Sequence, residues 1–443
     1  MRKTSIVFFE THLNRYSINA LLGALETEKL LDKIFVSILN LNQIEEKRNF
    51  LKDIIADSEI SIFAFSYFTT QVWEVEEKLQ VLKNLFKNIR SKEIFFIAGG
   101  PHPTGDPVTT LLKGFDFVFI GEAETTFTKF VKKLLSGEDF RKIKGLAYLK
   151  ENTFVFTGKP DPVSLNKFLP FSLKMRRISP IEITRGCPFG CFFCQTSRLF
   201  GKNIRHRSQD TILNIVKSLL EKGLKDMRFI SPNAFSYGSD DGRTLNLQAL
   251  KEFLKNLHEL VKFYCGRIFF GSFPSEVRPE HVTEETVGLI KNFADNNNLV
   301  IGAQSGSQKI LDLCRRGHTV EDVFKAVKLC KKAGLIPKVD FIFGLPGEEE
   351  KDIKETIKVM EHLAKMGAII HAHTFMPLPQ TPFASKKPGK IHPEVLKLIN
   401  RLLGKGFVFG DWKKQEILAE KMHQYLKNSI KLRSVLNKNF YKN

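Results

Sequence analysis

Over residues 1–140, short apolar runs rich in Ile, Val and Phe alternate with amphipathic stretches. The runs 5–10, 34–39, 60–68, 94–98 and 117–120 read as strands, and segments such as 43–56 and 71–88 carry a helical period. Alternating β and α of this kind predicts an open parallel sheet wrapped by helices. Next, 145–150 and 153–157 flank Glu151-Asn152, a hairpin signal, and Pro160, Pro162 and Pro170 then mark an extended linker. From 176 to 383 the alternation resumes with six units. Their strands are 178–184, 227–230, 268–271, 299–303, 338–343 and 369–375, with long helices at 210–222, 245–263, 307–332 and 351–365. The remainder, 384–443, reads as helical, with a break at 406–410 and Trp412. The expected organisation is α/β throughout: a sheet domain at 1–140, a hairpin and linker at 141–175, a six-unit partial (β/α) barrel at 176–383 and a helical C-terminal region.

Composition bounds the class. The 443 residues are 42% hydrophobic and 26% charged, as in a folded globular chain with room for more than one domain. No apolar run approaches the ~20 residues that span a bilayer. Met1-Arg2-Lys3-Thr4 leads straight into a strand with no secretory leader, so a cytoplasmic, reducing setting is expected. The net charge is +20, and residues 384–443 hold 14 Lys or Arg against 4 Asp or Glu, half of that excess. Lys421 to Asn443 has no acidic residue at all. Such a tail suits either a solvated lysine-rich helix or contact with an anionic lipid or nucleic-acid surface.

Three of the six cysteines lie within eight residues, as Arg185-Gly186-Cys187-Pro188-Phe189-Gly190-Cys191-Phe192-Phe193-Cys194. Three thiolates this close suit an iron–sulfur cluster with one iron left open. Zinc would want a fourth protein ligand from a paired motif, and no second pair exists. A disulfide does not fit a chain without a secretory leader. Cys265, Cys314 and Cys330 are isolated and read as core thiols.

This run resembles the signature of the radical S-adenosylmethionine (SAM) superfamily, and the aromatic Phe193 before the last cysteine belongs to the pattern. The resemblance implies a [4Fe-4S] cluster on Cys187, Cys191 and Cys194, whose open iron holds SAM and yields a 5′-deoxyadenosyl radical. It also implies an external electron donor such as a flavodoxin or ferredoxin. By the same resemblance Glu276, before Val277-Arg278-Pro279, and Gln304, in Gly302-Ala303-Gln304-Ser305, contact the SAM ribose, and Arg316 pairs with its carboxylate. The family's Gly-Gly-Glu after the second strand is replaced by Ser231-Pro232-Asn233. Ser231 and Asn233 are therefore either contacts for the SAM amino group or simple turn residues. His371 and His373 share a face of the sixth strand and read as cavity-lining imidazoles or as rim histidines.

The sheet domain resembles the flavodoxin-like, cobalamin-binding domain that precedes many radical SAM barrels. That likeness implies cobalamin contacts at Ser66, Thr70, Gly99, Gly100, Gly121 and Glu122. Where related domains carry Asp-x-His-x-x-Gly, this chain reads Glu10-Thr11-His12-Leu13-Asn14-Arg15, so His12 occupies the cobalt-ligand position with both flanking residues changed. Together the resemblances imply a cobalamin-dependent enzyme, commonly a carbon methyltransferase, with rearrangement, cyclisation or coupling as the alternative. An RNA methylthiotransferase is disfavoured, since its N-terminal domain carries three cysteines and here every cysteine lies at or after position 187.

Overall fold

The computed structural model describes residues 2–89 and 92–440 and divides into two compact units. The first comprises Met1–Ser179, Leu378–Gln380 and Tyr425–Asn443, and the second Pro180–Pro377 and Thr381–Gln424. Residues 441–443 of the basic tail lie outside the described residues.

The first unit is built on seven strands: β1 (Thr4–Glu10), β2 (Phe35–Asn40), β3 (Ile60–Ser66), β4 (Glu93–Gly99), β5 (Phe117–Phe119), β6 (Leu146–Lys150) and β7 (Thr153–Phe156). Their order is β2-β1-β3-β4-β5-β6-β7. The first five are parallel and β6 and β7 antiparallel. The apolar runs explain this. Val7, Phe9, Phe63 and Phe65 pack on one face, while Ile6, Phe8, Ile62 and Ala64 pack on the other. A strand covered on both faces has no polar alternation, which is why these segments read as continuous hydrophobic runs. Each large side chain buried this way contributes roughly 2 kcal/mol.

The hairpin turns at Glu151 and Asn152, both with positive φ as a tight hairpin requires. It does not stand apart in a linker as expected. It pairs through Ala147 with Val118 and so extends the sheet. The expected helix 43–56 is shorter: a single 3-10 turn, Leu41–Gln43, precedes a helix at Arg48–Ala56.

The second unit holds β8 (Ile181–Glu182), β9 (Thr184–Arg185), β10 (Arg205–His206), β11 (Asp226–Ile230), β12 (Arg267–Phe269), β13 (Asn298–Gln304), β14 (Ile336–Phe343), β15 (Ile369–Thr374) and β16 (Val408–Phe409). Two parallel ladders form, β12-β11-β8 and β13-β14-β15-β16. Val277 joins them. It bridges Ile301, and its amide donates to the Val300 carbonyl at 2.8 Å while its carbonyl accepts from Gly302 at 3.1 Å. The result is the expected open barrel with one strand more, because β16 adds to β15 from a segment read as a helix break. Gly410 ends β16 at φ +133, and a Cβ there would lie 2.3 Å from the Ala372 carbonyl oxygen. Only glycine lets the two backbones approach so closely.

The expected single helix 307–332 is two helices, Gln308–Leu313 and Val320–Lys332. Arg315 at φ +54 and Gly317 at φ +73 end the first. Thr319 and Asp322 then start the second with a reciprocal capping box. The break turns Arg316 inward while Arg315 stays exposed.

Candidate active site

In the second unit the cysteine loop follows β9, at the C-terminal end of the first barrel strands, where barrel chemistry is built. Gly186 (φ +92) opens it, and a Cβ there would sit 2.3 Å from the Asn203 carbonyl oxygen. The loop is pinned by Cys187 N–H to the Gly201 carbonyl at 3.2 Å, Phe192 N–H to the Cys314 carbonyl at 3.0 Å and Cys194 N–H to the Cys191 carbonyl at 3.1 Å. All three thiols are free. Burial holds Cys187 above the ordinary thiol value and pushes Cys194 up to about 11. Bound to iron, these thiols would be held as thiolates despite their burial. Phe193 packs, with Phe192 and Ile342, against Ile310, Cys314, Leu345, Phe375 and Phe383. Phe189 lies between the guanidinium groups of Arg278, at 3.4 Å from its ring centre, and Arg243, at 4.7 Å.

Arg316, Glu276 and Gln304 come from three separate segments and meet at Gly302. A Cβ built on Gly302 would lie 2.8 Å from Gln304 Nε2, 3.1 Å from Arg316 Nη2 and 3.1 Å from Glu276 Oε2. Glycine therefore leaves the space into which these three groups project. Gln304 is held at φ +75, beside a register shift between Ile301 and Gln304. A non-glycine residue there stores ~1–3 kcal/mol of strain, a cost typical of functional positions. Arg316 is buried. Its Nη2 donates to the Gly302 carbonyl at 2.6 Å and its Nη1 reaches Cys191 Sγ at 3.5 Å, while Nε has no partner. Arg278 donates to the Arg316 carbonyl and fixes its backbone. A buried guanidinium with an unused N–H, beside a thiol and a carboxyl, fits a ligand carboxylate. Burial raises Glu276 to about 7, opposed by Arg316.

The side chains of Ser231 and Asn233 are both engaged, Ser231 within its own turn and Asn233 with residues 278–281. The Ser231 hydroxyl donates to the Asn233 carbonyl at 2.9 Å. Asn233 Oδ1 accepts from Arg278 N–H at 3.2 Å and its Nδ2 lies 2.6 Å from His281 Nδ1. The Ser231 bond is turn chemistry, whereas the Asn233 bonds tie the turn to a distant segment. They bear on the site by holding Arg278, which in turn holds Arg316.

His371 and His373 lie on the face of β15 that pairs with Asp340 and Ile342 of β14. The opposite face, with Val339, Phe341, Ile370 and Ala372, is fully buried. The half-exposed imidazoles thus line the open inner face. Burial alone would push the Asp340 carboxyl up, but hydrogen bonds from His371 and His373 outweigh it and hold it below its ordinary value. Sequence reasoning missed Asp340. The cue was one acid within Val339-Asp340-Phe341-Ile342-Phe343.

In the first unit, the order β2-β1-β3-β4-β5 places a topological switch between β1 and β3, where open sheets bind ligands. Asn14, after β1, spans it, with Nδ2 donating to the Phe9 carbonyl at 2.9 Å and the Ser66 carbonyl at 2.7 Å. Gln71 Nε2 donates to Thr11 Oγ1 at 2.7 Å. Neither Asn14 nor Gln71 stood out in the sequence. His12 is exposed in the loop after β1, and Thr70 is half-buried after β3. Gly99 ends β4, and Gly100 (φ +92) packs against Ser66, whose Oγ would lie 2.7 Å from a Cβ there. Gly121 donates to Thr104 Oγ1 at 3.0 Å. Glu122 is buried, and its carboxylate accepts from Val163 N–H at 3.2 Å, so it ties down the following linker.

Fold and site together define a thiolate-loop barrel preceded by a nucleotide-type parallel sheet. Residues 181–360 match the model of the radical SAM superfamily. A similar relative is an uncharacterized methyltransferase of Pyrococcus horikoshii, 28% identical over 326 residues, which are 70% of this chain and 66% of that protein. Another is the ribosomal protein uS12 methylthiotransferase RimO of Thermotoga maritima, 29% identical over 208 residues, 45% of each chain. The chain spans about two thirds of the first relative's length and under half of the second's. Among solved structures, the fold resembles TsrM from Kitasatospora setae, a radical SAM methyltransferase determined with cobalamin and a [4Fe-4S] cluster. The TM-score is 0.67 at 16% identity, over 87% of this chain and 75% of that one. It also resembles the cobalamin-dependent radical enzyme OxsB, with TM-score 0.65 at 17% identity, over 82% of this chain and 52% of that one.

Gly302→Val is expected to displace Gln304, Arg316 and Glu276 from their shared space. SAM affinity should fall about tenfold or more while far-UV circular dichroism stays that of the parent, since the atoms a larger side chain would meet are the ends of flexible side chains. Equilibrium dialysis against labelled SAM checks this.

Proposed function

We propose that this protein is a cobalamin-dependent radical SAM enzyme that methylates a carbon of its substrate. The observation that carries the reading is the convergence of Glu276, Gln304 and Arg316 at Gly302, beside the buried Cys191. When bound, a [4Fe-4S] cluster with SAM supplies a 5′-deoxyadenosyl radical, and cobalamin supplies a transferable methyl group. Cys187, Cys191 and Cys194 would hold the cluster. Arg316 would offer its free Nε–H to the SAM carboxylate, and Glu276 and Gln304 would accept from or donate to the ribose hydroxyls. Phe193 and its apolar neighbours exclude water from the loop. The switch point of the first unit, with Ser66, Thr70, Gly99, Gly100 and Gly121 around it, would take the cobalamin nucleotide tail. His12 is exposed and free to turn toward a ligand. The fold likeness to TsrM and OxsB supports the pairing of these two domains. An external one-electron donor completes the chemistry. Among the described residues no helix is long and apolar enough to cross a membrane.

The reading predicts a pH dependence. Glu276 titrates near 7, and its carboxylate form accepts hydrogen bonds from ribose hydroxyls better than the protonated form. SAM binding should therefore tighten as pH rises from about 6 to 8, and Glu276→Gln should flatten the profile. The function itself is tested with reconstituted protein, cobalamin and SAM carrying a deuterated methyl group, presented with fractionated cell metabolites. Stoichiometric cobalamin binding and a product bearing the deuterated methyl are expected. SAM cleavage without cobalamin binding would overturn the cobalamin assignment, and turnover without label transfer would overturn methylation.

A further inference from the structure

Three donor atoms converge on the inner face of β14 and β15. His371 Nδ1 is 2.8 Å from Asp340 Oδ1 and 3.1 Å from His373 Nε2, and His373 Nε2 is 3.8 Å from Asp340 Oδ1. A neutral imidazole has one N–H and one lone pair, and a carboxylate only accepts. With His371 Nδ1–H donated to Asp340, His373 Nε2 can present a lone pair to the same proton. One proton then holds three atoms that can all turn lone pairs to a common centre. A divalent cation would take that proton's place.

The geometry supplies a place for it. Edges of these lengths admit a point about 2 Å from all three atoms, which is the bond length of imidazole nitrogen and carboxylate oxygen to a zinc-class ion. The donors are also held in place. The His371 ring stacks on Phe409 of β16, with centroids 4.2 Å apart and planes 7° apart. Asp340 is buried on a strand. Gln415 Oε1 accepts from Thr374 N–H at 2.8 Å, which leaves its Nε2 3.4 Å from His373 Nδ1, too long to fix the tautomer.

We propose that Asp340, His371 and His373 bind one divalent transition-metal ion, at a site separate from the cysteine loop, with its remaining coordination positions open to the inner face of the barrel. Two imidazoles and one carboxylate select zinc, iron(II) or cobalt(II) over the oxygen-seeking magnesium and calcium. The open positions would take an oxygen or nitrogen group of the substrate.

The test uses the 443-residue chain with Cys187, Cys191 and Cys194 replaced by serine, so that the loop cannot capture metal. It needs neither cluster nor SAM, so its failure is distinct from failure of the proposed function. Cobalt(II) is titrated by calorimetry and visible d–d absorption. One ion per chain is expected, with affinity at least about tenfold weaker in His371→Ala, His373→Ala and the near-isosteric Asp340→Asn. Thermal melts identify any variant that fails to fold, and Asp340→Asn keeps the test valid if a histidine variant does. No cobalt binding, or binding unchanged in the folded variants, would overturn the proposal.

Discussion

Cys191→Ser is expected to leave the chain folded and empty of iron. Cys191 is buried and central to the loop, with its carbonyl accepting from Cys194 N–H and its Sγ facing Arg316 Nη1. Serine is close in size and its oxygen can accept from the same guanidinium, so the stability cost should stay near ~1–2 kcal/mol. A hard hydroxyl is a poor ligand for iron in a cluster built on thiolates. After anaerobic reconstitution the parent should hold about four irons per chain and the variant under about one. Iron and sulfide assays, with electron paramagnetic resonance of the reduced samples, check this. Thermal melts of the apoproteins separate a lost ligand from a lost fold.

Arg316→Lys is expected to retain the cluster and lose SAM. The guanidinium uses Nη2 for the Gly302 carbonyl and Nη1 toward Cys191, which leaves Nε for a ligand. A lysine ammonium cannot serve these directions from one planar fork. Loss of one charge-assisted hydrogen bond, about 1.5–3 kcal/mol, corresponds to roughly ten- to hundredfold weaker SAM binding. Iron content should match the parent. The pattern of low affinity with full iron separates a ligand-binding arginine from one that only supports the loop.

Much of this architecture was legible because burial on both faces writes itself into the sequence as unbroken apolar runs. Phe63, Phe65 and Phe96 announce β3 and β4 without any partner in view. What was not legible depends on partners distant in sequence. The hairpin at 146–156 carries a clear turn, yet nothing local says that Ala147 pairs with Val118. β16 is only Val408 and Phe409, too short for periodicity, and its importance lies in the ring it stacks on His371. The break in the 307–332 helix had cues in Gly317 and in the Thr319–Asp322 box, but strong helical period on either side masks them. The cysteine loop, Glu276, Gln304 and Arg316 stand out as motifs, whereas their meeting point does not. Gly302 is an ordinary glycine until the fold brings three side chains to it. Asp340 becomes informative only once the register places it opposite His371.

A thiolate loop that serves SAM cleavage is the centre of the proposed chemistry. The most direct measurement is 5′-deoxyadenosine by mass spectrometry, after anaerobic reconstitution with iron and sulfide and addition of SAM and a strong reductant. The parent protein should form it, and the Cys187→Ala, Cys191→Ala, Cys194→Ala triple variant should not. Formation of 5′-deoxyadenosine by the triple variant at the parent's rate would contradict the account.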